Sequence, residues 1–100
     1  MNANAVTLTG EIAASDALRY TPAGIPIVEF KLHHRSQQIE AGFKRDVECE
    51  VTCVALGEPA TELSGVKAPA RASVTGFLDR RNRMSAQLVL HATKIDLEKD

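Results

Sequence analysis

Hydrophobic and polar residues alternate with period two through most of the chain. Val6, Leu8, Gly10 and Ile12 interleave with Thr7, Thr9 and Glu11, the pattern of a strand with one buried face. Gly10 inside that run predicts a bend or bulge, as a closing barrel needs. Ser15 to Gly24, with Asp16, Pro22 and Gly24 as turn residues, predicts a loop. A second strand runs from about Ile25 to Arg35, with Val28, Phe30, Leu32 and His34 on one side and Glu29, Lys31, His33 and Arg35 on the other. Ser36 to Gly42 is polar and ends in glycine, which predicts a hairpin loop. The third strand starts at Lys44: Val47, Cys49, Val51 and Cys53 face one way, and Asp46, Glu48, Glu50 and Thr52 the other.

Gly57-Glu58-Pro59 interrupts the alternation and opens a short segment with Ala60, Leu63 and Val66. Proline suits a first helical turn and Gly65 can end it, so a short helix is expected, held by tertiary packing. The fourth strand, Ala72 to Leu78, puts Val74, Gly76 and Leu78 on one side. A basic turn from Arg80 to Ser85 leads to the fifth, where Leu88, Leu90 and Ala92 alternate and the register shifts before Ile95 and Leu97, as at a bulge. Five strands with a helical connection between the third and fourth predict an all-β protein, a five-stranded OB-fold barrel. No internal repeat competes with that reading.

One hundred residues make a single domain, 1–100, with no length for a second. No apolar run approaches the roughly 20 residues of a membrane helix, and Met1-Asn2-Ala3-Asn4-Ala5 lacks the basic start and apolar stretch of a secretory signal. A cytoplasmic protein is expected. Cys49 and Cys53 lie on one strand, about 13 Å apart at four residues' separation, beyond disulfide reach; both are expected to be small core residues. The net charge of -1 gives no general support for binding a polyanion, but the cations are grouped: Lys31 with Arg35, Lys44-Arg45, and Arg80-Arg81-Asn82-Arg83.

OB barrels bind oligonucleotides on the face of their second and third strands and with the loops between the first and second and the fourth and fifth strands. That face here carries Lys31, His33 and Arg35 opposite Lys44, Asp46 and Glu48. The first loop supplies Arg19 and Tyr20, and the last supplies Arg80, Arg81 and Arg83. Cations track phosphates and flat rings stack on bases. Aromatic residues are few: one tyrosine, three phenylalanines and no tryptophan. Phe30 falls on the core side, Phe77 on either side, and Phe43 is either a stacking residue or packed in its loop, with Tyr20 the next stacking residue. The arginine turn is a solvated loop in a generic domain and a DNA-facing one in an OB barrel. Catalysis and metal binding find no support. His33 and His34 are adjacent on a strand and point to opposite faces, and no Cys-x-x-Cys, His-Glu-x-x-His or phosphate-cradling loop exists. No cofactor and no small-molecule substrate are expected.

The chain resembles the primosomal replication protein N (PriB) family, relatives of bacterial single-stranded DNA-binding protein. The likeness runs from Leu8-Thr9-Gly10 to Ile95-Asp96-Leu97. Its most specific pieces are Gly24-Ile25-Pro26 with Phe30, Leu32-His33-His34-Arg35-Ser36, Glu40-Ala41-Gly42-Phe43-Lys44-Arg45, Val74-Thr75-Gly76-Phe77 and Leu88-Val89-Leu90-His91-Ala92. The resemblance implies a homodimer of the replication-restart primosome that binds single-stranded DNA, the helicase PriA and the loader DnaT. It also implies DNA contacts from Arg19, Arg35, Phe43 and the arginines at 80, 81 and 83, which match a lysine-rich loop. Glu48 stands where the family has a stacking tryptophan, and Gln87 where it has a lysine, which implies weaker DNA binding. Three rival readings are weighed. One is an OB adaptor for proteins with vestigial DNA binding. A second is an enzyme using Cys53 or a histidine, disfavoured because nothing places a base beside the thiol. The third is a general single-stranded DNA-binding protein, for which a long acidic-tipped tail is expected; the short stretch after the fifth strand favours the restart role instead.

Overall fold

Each period-two run becomes a strand, and the strands extend well beyond the runs. The structure, a computed structural model, describes residues 2–98. In chain order it contains β1 (Val6–Ser15), β2 (Arg19–Tyr20), β3 (Pro26–Glu40), β4 (Phe43–Leu56), α1 (Glu58–Ser64), β5 (Ala70–Arg80) and β6 (Leu88–Leu97). The sheet order is β1-β5-β6-β4-β3, and β1 pairs back onto β3 to close a five-stranded barrel. β2 is a two-residue addition to the outer edge of β3, at Ile27 and Pro26. The segment expected as plain loop after the first strand therefore contains a strand pairing, made because β3 leaves an edge for it.

The barrel is filled by Ile12, Val28, Phe30, Leu32, Cys53, Val74 and Leu90, all buried. These come from the inward sides of five strands, which is why each run alternates. α1 closes one end with Ala60 and Leu63 buried against the barrel and Val66 packed beside them. Gly57 precedes the helix at φ 77°, a left-handed conformation that glycine adopts without steric cost, and its N–H donates to the Pro26 carbonyl at 2.9 Å.

Two glycines sit where strands cross closely. A Cβ on Gly10 would lie 2.3 Å from the His33 carbonyl oxygen, at the point where β1 leaves β5 for β3. The bulge expected at Gly10 falls instead between Ile12 and Ala14; Gly10 itself is required by the close passage of β3. The shift expected before Ile95 is present, since Thr75 pairs with Lys94 and Gly76 with Ala92, leaving Thr93 unpaired.

Two expectations are corrected. Ser36 to Gly42 is not a loop: β3 continues to Glu40, pairing residue by residue from Ser36↔Val47 to Glu40↔Phe43. The turn is only Ala41-Gly42, both at positive φ, 52° and 83°, as a two-residue hairpin turn of matching twist requires. The ribbon was hidden in the sequence because beyond Arg35 neither face covers the core, so no alternation is imposed. For the same reason Cys49 is exposed: it points toward the core side, but beyond the barrel's rim. Only Cys53 is buried, and burial pushes its thiol up to about 12. A thiolate is the reactive species, so a chromogenic disulfide reagent at pH 8 is expected to titrate one thiol per chain promptly and the second only after denaturation. Two fast thiols would contradict this packing.

Candidate nucleic-acid interface

The register decides which side chains share the outward face. Glu29, Lys31, His33 and Arg35 on β3 stand opposite Val54, Thr52, Glu50 and Glu48 on β4, with Lys44 further out opposite Ile39. Arg19 is paired with Ile27 and so belongs to this same face. Tyr20 and Phe43 have the other parity, paired with Pro26 and Glu40. Both are exposed, Phe43 at 76%, but their pleat turns them to the reverse side from Lys31 and Arg35. His34 also faces inward. Its Nδ1 donates to the Thr9 carbonyl at 2.6 Å and its Nε2 accepts from the Ser36 hydroxyl at 2.8 Å, tying β3 to β1.

The outward cations meet carboxylates. Arg35 Nε donates to Glu48 Oε2 at 2.6 Å and His33 Nε2 to the same oxygen at 3.0 Å. These hydrogen bonds, from Arg35 first and then His33, hold the Glu48 carboxyl below its ordinary range, so it stays anionic at neutral pH. Lys31 Nζ donates to Thr52 Oγ1 at 2.6 Å. Arg81, in the loop between β5 and β6, reaches Glu29 Oε1 at 3.0 Å and also donates to Gln87 Oε1 at 3.1 Å. The hydrogen bond from Arg81 is the main influence lowering the Glu29 carboxyl, opposed by partial burial and aided by the charges of Arg81, Lys31 and Arg19. Register sets Arg19, opposite Ile27, and Lys31 on either side of Glu29 on this face, and Arg81 bonds it from a loop 52 residues away in sequence, so the three cations flank one carboxylate. Arg80 and Arg83 remain at the loop, joined by an Arg80 Nη1 bond to the Arg83 carbonyl at 3.3 Å; no carboxylate pairs with either among the described residues.

From sequence, Glu29 falls on the outward side without a role and Phe77 is open between the two sides; neither the Glu29–Arg81 bond nor the pairing of Phe77 with His91 is foreseen there. One row of the outward face reads Glu29, Val54, His91, Phe77 across β3, β4, β6 and β5. Phe77 and His91 stack, with ring centroids 5.0 Å apart and planes 2° from parallel. The parity of Phe77 against Val74, Gly76 and Leu78 was the available signal, and it settles the open choice: Phe77 is outward and 40% exposed.

An OB barrel whose outward β3–β4 face gathers cations from a strand, an edge and a loop defines an oligonucleotide-binding class of protein. The model of a family described as "another single-strand binding protein family" matches residues 4–94. The replication restart protein PriB of Nitrosomonas europaea is 43% identical over 91 residues, covering 91% of this chain and 84% of its own. A solved PriB structure from Ralstonia solanacearum superposes with a TM-score of 0.89 at 28% identity, covering 98% of this chain and all of the other. The wild-type single-stranded DNA-binding protein of Thermus aquaticus superposes at 0.78 and 25% identity, covering 97% of this chain and 50% of its own. The chain belongs to the replication restart protein PriB family, within the single-strand binding proteins.

Proposed function

We propose that this protein binds single-stranded DNA without sequence preference as a homodimeric scaffold of replication restart, working in the cytoplasm with the helicase PriA and the loader DnaT. It acts by binding, not by catalysis. The observation that carries this reading is the placement of Arg19, Lys31 and Arg81 around Glu29 on the outward face, with Arg35 further along β3 and Arg80 and Arg83 at the last loop. A phosphate backbone laid along β3 would meet cations from the first loop, the strand and the last loop in succession, and counterion release from such contacts drives sequence-independent binding.

The same face contains its own competitors. Glu48 engages Arg35 through Nε, and also His33, and Glu29 engages Arg81 through Nη1, so a phosphate approaching the remaining N–H groups of either guanidinium does so beside a carboxylate that repels it. This favours, as a second reading, a protein adaptor with little DNA affinity. Anisotropy of a labelled dT oligomer separates the two: saturable, salt-sensitive binding supports the first, and no saturable signal at low salt supports the second. Under the first, Glu48→Gln is expected to tighten binding several-fold at low salt and Arg35→Ala to weaken it, with both differences shrinking as salt screens the site. A Glu48→Gln protein that binds no better than wild type would remove Glu48 from the DNA path.

A further inference from the structure

Phe77 and His91 form a π-surface that the cationic track does not use. They lie outside the barrel, on β5 and β6, so they contribute nothing to filling it. Phe77 is far more exposed than the neighbouring outward valines Val54 and Val89, which are 9% and 4% exposed. A shallow groove runs from Arg19, Ile27 and Arg81 over Val54 and Leu56 to the stacked rings. Its floor is apolar, its far wall is the flat pair, and its near wall is cationic. The Arg81–Glu29 bond spans from the last loop to β3, over the faces of β6 and β4.

We infer that the stacked Phe77–His91 pair is a base-stacking platform, and that a strand bound along β3 turns across β4 and β6 to lay a base on Phe77. This rests on the single-stranded DNA reading above and extends the path beyond β3 and β4. The occupant is a nucleobase because its two halves match the groove: a planar π-system for the rings and a phosphate for Arg19 and Arg81. The platform supplies stacking that the β4 position Glu48 cannot, since a carboxylate has no π-face and repels phosphate. Glu29 and Asp79 are the acidic groups beside this path. Glu29 is already paired with Arg81, and the Asp79 carboxylate accepts the Arg80 backbone N–H at 2.7 Å.

The test compares a dT oligomer with an abasic strand of equal length, at one salt concentration, on wild type, Phe77→Leu and Phe77→Trp. Leucine keeps the apolar volume and removes the ring; a thermal melt checks that it folds. Phe77→Leu is expected to weaken dT binding on the order of tenfold and to leave abasic-strand binding unchanged. Phe77→Trp is expected to retain dT binding, and its fluorescence should be quenched by dT and not by the abasic strand. Wild-type binding of dT with Phe77→Leu equal to it, or saturated Phe77→Trp with no quenching, would overturn the platform and leave the DNA reading standing. No dT binding by wild type would overturn both. An equal loss of dT and abasic binding in Phe77→Leu would make the residue a structural support and also overturn the platform.

Discussion

Alanine at Arg80, Arg81 and Arg83 together weakens single-stranded DNA binding on the order of a hundredfold at about 50 mM salt. Each phosphate contact on a single strand contributes about 0.7 to the slope of log affinity against log salt. Removing two to three contacts should therefore flatten the slope by about 1.4 to 2.1. Arg81 contributes less than its neighbours because Glu29 already holds it at 3.0 Å. Arg80 and Arg83, with no carboxylate on them among the described residues, contribute more. A salt series of anisotropy titrations on wild type and the triple variant makes the measurement. An unchanged slope would mean that this loop is a solvated turn away from the DNA. Fold is not the concern, because all three side chains lie on the exposed loop and its approach from β5.

Gly76→Ala is expected to cost the largest share of stability of any single methyl addition. A Cβ there would lie 1.8 Å from the His91 carbonyl oxygen, 2.8 Å from its carbon and 3.1 Å from the Ala92 Cα. All three atoms are backbone in the paired strand, so no side chain can swing aside. Relief requires β5 and β6 to separate next to the bulge at Thr93, which breaks ladder hydrogen bonds. Overpacking of ordinary cores costs about 1–3 kcal/mol, and a backbone overlap belongs at or beyond the top of that range. Against a total of about 5–15 kcal/mol, a loss of about 3 kcal/mol lowers the melting temperature of a domain this size by roughly 12–24 °C. Thermal melts of wild type and Gly76→Ala decide it; a drop of under about 4 °C, less than the shift for 1 kcal/mol, would show that the sheet yields easily there. The same change would displace His91, so the aromatic pair depends on this glycine as well.

The barrel and its helix were legible from the chain alone. Val28, Phe30 and Leu32 alternate with Glu29, Lys31 and His33 because one side of that strand is buried and the other is not, and burial is a property each position records by its own chemistry. The turn at Gly57-Glu58-Pro59 interrupts that record in the right place, and the extra residue in β6 left its mark as a broken alternation ahead of Ile95. Outside the core the record stops. Beyond Arg35 neither ribbon face is covered, so Ser36 to Glu40 looked like a loop and Cys49 looked like a core residue.

The candidate surface was partly legible for the same reason. Parity along β3 placed Lys31, His33 and Arg35 on one face, and Glu48 was recognised as an acidic intrusion on it. Phe43 shares the parity of Val47, Cys49, Val51 and Cys53, so its turn to the reverse side follows once the strand is known to begin at Phe43 rather than Lys44; for Tyr20, on a separate two-residue strand, it depends on the pairing with Pro26.

Alternation, glycines and a proline determined by themselves that this chain closes a five-stranded barrel with a short helix in one connection. Those signals are local, since each strand meets the same buried interior. Only the tertiary structure decided which charges meet, because Arg81 and Glu29 are 52 residues apart in sequence and come together through strand order and register. The stacking of Phe77 on His91 has the same origin: neither residue carries a mark of the other until β5 and β6 are paired.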